Sequence, residues 1–218
     1  RKVDGTGLVT HRESTGSSYT TQLIRIVAGA LRAHPAMNSS WTDEGIFIAD
    51  EVRIAFAVDT DDGLLAPVIP QADTLDEPDI EALCGDLTAR ALAGTLAADD
   101  CSGGTFTISN LGMYGVEHFT PLLNPPQCAT LGIGAITPAP ICIGESIVAG
   151  IACHLSLTFD HRIVDGAPAA RFLDQICREI IIKIGKGHRR INRLSRTVSM
   201  TLSTRQVTIG AWTVTFFT

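Results

Sequence analysis

Two ionisable side chains, His161 and Asp165, lie four residues apart in the segment DHRIVDG at residues 160–166. An imidazole with the ordinary pKa of about 6.5 is mostly neutral at pH 7 and can accept a proton from a thiol. A metal site would need a third ligand, which this spacing does not supply. A serine-hydrolase triad would need a G-x-S-x-G elbow, which the sequence lacks. The pattern therefore indicates a proton acceptor, although an isolated histidine is more typical of a satisfied core position.

The residues around this segment predict the elements that position it. Over Ile151–Phe159 apolar residues alternate with polar ones, which is typical of a half-buried strand. From about Ala167 apolar residues recur at steps of three and four, which indicates a helix. His161 thus lies at a strand-to-helix corner, where the scaffold holds it and it can face a cleft. Gly166 is expected to supply backbone angles that other residues avoid.

A second block, residues 103–136, combines strand patterns with glycine-containing turns. Thr105–Ser109 predicts a strand, Asn110–Gly115 a turn, and Cys128–Ile136 a further strand. Gly132 and Gly134 in the further strand predict the close approach of another backbone.

Helical patterns occur twice more, and a hairpin pattern lies between them. Tyr19–His34 and Thr74–Ala98 carry apolar stripes that predict helices, the first ending before Pro35. Ile54–Asp73 predicts a strand–turn–strand block whose turn is Asp61-Asp62-Gly63.

Two stretches lack such a pattern. Residues 1–18 are polar and rich in small residues, so we expect a loop or a weak strand there. Pro138 and Pro140 predict a connection, followed by a hairpin over residues 141–151.

The composition excludes several classes of protein. A hydrophobic fraction of 45% and a charged fraction of 18% exclude disordered and fibrous chains. The net charge of −6 argues against a nucleic-acid partner. No apolar run reaches the length of a membrane span, and the N-terminus shows no targeting pattern. The six cysteines are scattered without ligand spacing, which predicts core thiols in a reducing compartment and no metal site.

Three blocks together carry a resemblance to a known family: DHRIVDG with SLTF before it, GGTFTISNLGMYGVEHFTPLLNPPQCATLGIGAI, and IAFAVDTDDGLLAPVIPQAD. They resemble the dihydrolipoyl acyltransferases, the catalytic cores of the 2-oxo acid dehydrogenase complexes. The chloramphenicol acetyltransferases share the His-x-x-x-Asp-Gly pattern more distantly. The resemblance implies an α/β fold of the chloramphenicol acetyltransferase type, an α+β sandwich with a central mixed sheet and helices packed on it.

The family resemblance also implies roles for three residues. His161 would take the proton from the thiol of coenzyme A, and Ser109 would stabilise the oxyanion formed on the thioester. Asp165 would form a structural ion pair with an arginine, for which Arg196 is a candidate; the alternative is that Asp165 orients His161. The residues that contact coenzyme A are not identified by the resemblance, and no metal is expected.

The implied reaction transfers an acyl group between dihydrolipoyl-lysine and coenzyme A. The segments Asn-Leu-Gly-Met and Asn-Pro-Pro-Gln resemble those of the pyruvate-type enzymes of the family more than those of the succinyl or branched-chain types, which favours an acetyl group. The alternatives are a branched-chain or succinyl acyltransferase, or a mainly structural assembly core. The sequence contains no lipoyl-attachment motif, so we expect the lipoyl group to be carried on a domain absent from this chain.

The resemblance implies partners as well. Family members form homotrimers with the active site at the subunit interface, and the trimers assemble into cubic or dodecahedral cores. The expected partners are the lipoyl domain, a 2-oxo acid decarboxylase and dihydrolipoamide dehydrogenase. The expected location is the bacterial cytoplasm or the mitochondrial matrix.

Residues 191–218 predict a helix followed by a strand rich in Thr, Val and Phe, and they resemble the segment that begins the family's domain. A circular permutation, or a residue order that departs from the true one, would each account for this displaced segment. We therefore expect residues 1–218 to be one catalytic domain.

Overall fold

The computed structural model describes residues 1–143, 145–181, 204–209 and 212–217. The chain divides into two compact units, Arg1–Ile184 and Gly185–Thr218. The elements of the first unit are, in chain order, β1 (Lys2–Asp4), α1 (Thr6–Thr15), α2 (Tyr19–Ala33), β2 (Ser39–Thr42), β3 (Gly45–Ile48), β4 (Ile54–Phe56), β5 (Val58–Thr60), β6 (Gly63–Leu65), β7 (Val68–Ile69), α3 (Glu77–Leu92), β8 (Phe106–Asn110), β9 (Ala129–Ile133), β10 (Thr137–Ile143), β11 (Ser146–Phe159) and α4 (166–181).

The described part of the second unit is an antiparallel hairpin of β12 (Thr204–Ile209) and β13 (Trp212–Phe217). The strand predicted in this segment is therefore present as two strands. The predicted helix before it, including Arg196, lies outside the described residues.

A mixed sheet organises the first unit. Its strands run in the order β1-β11-β9-β8-β4-β7, and β10 also pairs with β11. β8 is parallel to both β4 and β9, and the other pairs are antiparallel. The predicted central mixed sheet is confirmed, and β11, with the His161 corner at its end, lies between β1 and β9.

The two faces of this sheet differ in chemistry. In β8, Phe106 and Ile108 are buried on one face, whereas Thr107 and Ser109 lie on the other because side chains alternate along a strand. The apolar face packs against the helices, for example through the edge-on contact of Phe106 with Phe172 of α4 at 5.6 Å between ring centroids. The polar face continues across the sheet through the register neighbours Thr130, Gly132, Ser156 and Thr158.

A loop crosses the polar face where the sequence predicts a close backbone approach. A Cβ atom on Gly132 would lie 3.0 Å from both Phe119 and Pro121, and one on Gly134 would lie 1.8 Å from the carbonyl oxygen of Glu117. The predicted close backbone approach is confirmed at Gly134, where the backbone of Glu117 leaves no room for a side chain, whereas Gly132 lies against the side chains of Phe119 and Pro121.

The helices show where periodicity succeeds and where it fails. α2 is capped by Ser18, whose side chain accepts a hydrogen bond from the Thr21 N–H, and it ends at His34 as predicted. The prediction of a loop or weak strand over residues 1–18 is wrong for α1. Only Gly7 and Leu8 of α1 are buried, so the helix has no apolar stripe to detect.

The connection predicted at Pro138 and Pro140 is also wrong, because both residues lie within β10. Among the described strands β10 pairs with β11 alone, so it has a free edge. The two prolines are two residues apart, and their nitrogens face the same side of the strand. An edge strand tolerates proline there because no ladder hydrogen bond is lost.

Candidate active site

The turn that carries His161 is fixed by backbone hydrogen bonds at its start. β11 ends at Phe159, and the Asp160 N–H donates to the carbonyl oxygen of Cys128 at 2.7 Å. The N–H groups of Ile163 and Val164 then donate to the Asp160 carbonyl oxygen at 3.0 and 3.1 Å. Val164 is buried in the core, so the backbone is anchored while the turn projects outward.

Gly166 does not have the backbone angles expected of it. It begins α4 and is not among the glycines with positive φ. A Cβ atom at this position would meet no atom within 4 Å. The expectation was wrong because the turn closes through the Asp160 carbonyl and needs no left-handed residue.

His161 and Asp165 lie together at the surface. The His161 Nδ1 atom is 3.6 Å from the Asp165 Oδ1 atom, and the two side chains are 72% and 84% exposed. This separation is an ion-pair distance and is too long for a hydrogen bond. The imidazole ring also lies 5.6 Å from the ring of Phe159. The predicted arginine partner of Asp165, Arg196, lies outside the described residues.

Ser109 lies elsewhere, half-buried on the polar face of the sheet. It is opposite Gly132 in β9, and Gly132 is opposite Ser156 in β11. Two strand spacings and the three residues from Ser156 to Phe159 place the Ser109 and Phe159 Cα atoms about 14 Å apart. His161 follows beyond the end of β11, whereas a proton-transfer site needs its groups about 3 Å from the reacting atoms. A single chain therefore does not bring the predicted base and the predicted oxyanion donor together.

Comparison with known proteins identifies the family to which this chain belongs. The model of the family described as 2-oxoacid dehydrogenases acyltransferase (catalytic domain) matches residues 3–183. The chain belongs to this acyltransferase family.

Curated relatives of the chain support this family assignment. The dihydrolipoyllysine-residue acetyltransferase component of the acetoin cleaving system of Bacillus subtilis is 43% identical over 162 residues, 74% of this chain and 41% of that protein. The acetyltransferase component of the pyruvate dehydrogenase complex of Mycobacterium bovis is 42% identical over 172 residues, 76% of this chain and 31% of that protein. A mitochondrial succinyltransferase component of a 2-oxoglutarate dehydrogenase complex from Arabidopsis thaliana is 40% identical over 153 residues, 70% of this chain and 33% of that protein. The chain thus matches less than half the length of each of these relatives.

Solved structures confirm the fold of the acyltransferase. Dihydrolipoamide acetyltransferase from Azotobacter vinelandii, studied for the role of a serine, a histidine and an asparagine in its catalytic mechanism, matches with a TM-score of 0.78 at 34% identity, over 83% of this chain and 79% of that chain. The cubic core of the pyruvate dehydrogenase multienzyme complex matches with the same values. A chloramphenicol acetyltransferase matches with a TM-score of 0.55 at 15% identity, over 82% of this chain and 85% of that chain. The predicted chloramphenicol acetyltransferase-like α/β fold is confirmed.

The cysteines of the acyltransferase are poor nucleophiles where they are buried. All six are free thiols. Burial raises the pKa of Cys84 and of Cys153 to about 12, and it also raises the pKa of Cys128, whose carbonyl holds the His161 turn. A thiol with so high a pKa is almost entirely protonated at neutral pH, and the thiolate is the reactive form. These three buried cysteines are therefore poorly reactive at neutral pH.

We expect alkylation of the folded acyltransferase to distinguish these thiols. Iodoacetamide at pH 8 should modify the exposed Cys142 and leave Cys84 and Cys153 unmodified, because burial raises their pKa values and blocks access. Mass spectrometry of the digested protein measures this, and the unfolded chain, in which all six should react, is the control. Equal rates for Cys153 and Cys142 in the folded protein would contradict the assignment.

The sequence pattern does not mark Trp41 or Arg162 as site residues, although both lie at the His161 turn. Its position next to His161 in the chain is the one feature of the sequence that could have pointed to Arg162. Trp41 lies on β2, and only the folded chain brings its ring to 4.7 Å from the Arg162 guanidinium carbon.

Neither a metal-binding cluster nor a membrane-spanning helix is found in the described part of the acyltransferase. The described residues contain no cluster of three or more His, Cys, Asp or Glu side chains that could hold a metal ion. Among the same residues, no helix is both long enough and apolar enough to cross a lipid bilayer.

Proposed function

We propose that this acyltransferase domain moves an acetyl group between dihydrolipoyl-lysine and coenzyme A. The observation that carries the proposal is a shared pair of spacings. In the A. vinelandii enzyme the serine under study precedes the histidine by 52 residues, and the asparagine follows the histidine by four. In this chain Ser109 precedes His161 by 52 residues and Asp165 follows it by four. The fold is shared as well, with a TM-score of 0.78.

In the proposed mechanism, the His161 imidazole accepts the proton of the coenzyme A thiol. A free thiol has a pKa of about 8.5, so a neutral base is needed to generate the thiolate at pH 7. The thiolate attacks the carbonyl carbon of the acyl-dihydrolipoyl thioester, and the carbonyl π electrons move to the oxygen. Collapse of this tetrahedral adduct breaks the bond to the dihydrolipoyl sulfur, which takes the proton back from the imidazolium. The products are acyl-coenzyme A and dihydrolipoyl-lysine.

Ser109 is proposed to donate a hydrogen bond to the oxyanion of this adduct. A donor aimed at charge that develops in the transition state lowers the barrier more than it stabilises the bound substrate. Asp165 is proposed to place a negative charge beside the imidazolium, at the 3.6 Å separation observed. The A. vinelandii enzyme has an asparagine at this spacing, so the aspartate is a difference between the two chains.

The site is proposed to form between subunits of a homotrimer. Within one chain Ser109 lies about 14 Å from the end of β11. A neighbouring copy must therefore bring the hydroxyl to His161. The trimer interface would also cover some of the large apolar side chains that are exposed in the single chain, such as Leu122 at 89% and Met113 at 82% exposure.

Larger assembly and partners belong to the same proposal. The match to a cubic core supports a trimer-based core of a multienzyme complex, cubic or dodecahedral. The lipoyl group would be presented by a lipoyl domain, and the other components would be a 2-oxo acid decarboxylase and dihydrolipoamide dehydrogenase. Bacterial and mitochondrial relatives support the bacterial cytoplasm or the mitochondrial matrix as the location. A single catalytic domain over residues 1–218, with residues 191–218 displaced, stays a prediction.

The acyl group is tested by measuring thiol release. Acetyl-, succinyl- and isobutyryl-coenzyme A are each mixed with dihydrolipoamide and the protein, and free coenzyme A is measured. We expect acetyl-coenzyme A to give the largest kcat/KM, because the B. subtilis and M. bovis relatives, at 43% and 42% identity, are acetyltransferase components. A larger kcat/KM for succinyl-coenzyme A would move the assignment to the succinyl class, and absence of release with all three would overturn acyl transfer.

A further inference from the structure

Arg162 contacts Asp160 and Trp41, and neither of these two residues has a role in the proposed reaction. Its Nη2 atom donates to Asp160 Oδ2 at 2.6 Å, and its Nε atom lies 3.0 and 3.1 Å from the two carboxylate oxygens of Asp160. Its backbone N–H also donates to Asp160 Oδ1 at 2.9 Å. The guanidinium carbon lies over the ring of Trp41, 4.7 Å from its centroid, in a cation–π contact. Because the planar guanidinium contacts the Asp160 carboxylate and the Trp41 ring at the same time, its position is restrained.

Trp41 is itself fixed to the base of the same turn. Its backbone N–H donates to the carbonyl oxygen of Pro126 at 3.2 Å, and the Cys128 N–H donates to the Ser39 carbonyl oxygen at 2.8 Å. Cys128 in turn accepts the hydrogen bond of the Asp160 N–H. The contacts therefore form a closed ring that runs from β2 through residues 126–128 and the His161 turn and returns to β2 through Arg162.

The Asp160 carboxylate is suited to bind the Arg162 guanidinium. Its side chain is 15% exposed, whereas that of Arg162 is 60% exposed. The hydrogen bonds from Arg162 hold the pKa of the Asp160 carboxyl below its usual value. The carboxylate is therefore ionised throughout the neutral range, and the fork stays formed at the pH at which acyl transfer would run.

We propose that Arg162 is a positioning residue: clamped between Asp160 and Trp41, it fixes the turn that aims the His161 imidazole at the substrate thiol, and it links the β2–β3 hairpin to the catalytic base. This inference rests on the proposed acyl transfer. His161 itself is 72% exposed, so its own contacts do not hold the ring in one place. The residues on either side of it in the chain supply that restraint.

The test compares variants of the full chain in the thiol-release assay. Arg162→Met removes the fork and the charge, and Trp41→Leu removes the ring while keeping apolar bulk. Each should lower kcat by about 10- to 100-fold with KM for coenzyme A changed less than about twofold, because small misplacement of a catalytic group is costly in rate. Trp41→Phe keeps a ring face and should recover most of the loss. The double variant should be no slower than the slower single variant, since both changes break one clamp.

Arg178→Met is the matched control. Arg178 also pairs with an aspartate, Asp174, at 2.6 Å, but it lies on α4 and is 74% exposed. Its loss should leave kcat unchanged. Circular dichroism and light scattering on each variant separate a moved base from a lost fold or assembly.

Several outcomes would overturn the clamp. A raised KM with unchanged kcat in Arg162→Met would mean that Arg162 contacts substrate directly. Unchanged kcat in both single variants, or losses that multiply in the double variant, would remove the clamp while acyl transfer by the wild-type chain still stood. Absence of transfer by the wild-type chain would overturn the proposed function and this inference with it.

Discussion

Replacing His161 by alanine should lower acyl transfer by about 10²–10⁴-fold, the usual contribution of a general base. Without the imidazole, the coenzyme A thiol has to lose its proton to water, and at neutral pH only a few per cent of a free thiol is ionised. The effect should fall on kcat more than on KM, because the base acts on the bound thiol. The fold should survive, since the side chain is 72% exposed and leaves no cavity.

Two measurements make this prediction specific to a base. Added imidazole should restore part of the activity of His161→Ala by taking the proton in place of the side chain. A more acidic acceptor thiol should lose less activity than coenzyme A, because it needs less help to ionise. An alanine variant that keeps its assembly and its full rate would show that His161 is not the base and would favour a role of the chain as a structural core.

The sequence predicted elements whose apolar residues are periodic. Alternation over residues 151–159 predicts β11, and the three- and four-residue steps after it predict α4, so the corner that carries His161 follows from the sequence. α1 does not follow, because a helix with two buried residues leaves no stripe. Pro138 and Pro140 mislead for another reason: whether a strand tolerates proline depends on which neighbours it has, and that is a property of the sheet.

For the candidate site, too, the sequence predicts what a local pattern encodes and misses contacts between residues far apart in the chain. His161, Asp165 and Ser109 were found by their type and spacing, together with the family resemblance. The contact between Trp41 and Arg162 was not found, because the two residues lie far apart in the chain and no local pattern encodes their meeting. Nor does spacing say that Ser109 and His161 are far apart in one chain. That follows only from strand register, in which Ser109, Gly132 and Ser156 form one row.

Replacing Ser109 by alanine should lower kcat by about 10²–10³-fold, the usual cost of removing one oxyanion donor. KM should change little, because the donor meets the oxyanion and not the ground-state carbonyl. Ser109→Thr keeps a hydroxyl on the half-buried polar face and is the matched control, which should retain more activity than alanine. Equal loss in both variants would point to packing against the neighbouring strand rather than to the hydroxyl.

Combining the two inactive variants tests where the site is. If His161 of one subunit meets Ser109 of the next, each trimer that mixes His161→Ala and Ser109→Ala subunits has one intact site of its three. Equal co-expression should then restore about a quarter of wild-type activity, because about three quarters of randomly assembled trimers are mixed. If each site were built within one chain, no subunit in the mixture would carry both groups, and activity would stay at the level of the single variants.

The control mixture pairs His161→Ala with the double variant His161→Ala/Ser109→Ala. It has the same assembly but contains no imidazole at position 161, so it should show no restoration in either arrangement. Restoration in the first mixture alone would require groups from two chains in one site. Its absence, with mixed trimers demonstrated by two affinity tags, would contradict the intersubunit site. It would then require His161 to reach Ser109 within its own chain, across the roughly 14 Å that strand register places between Ser109 and the end of β11.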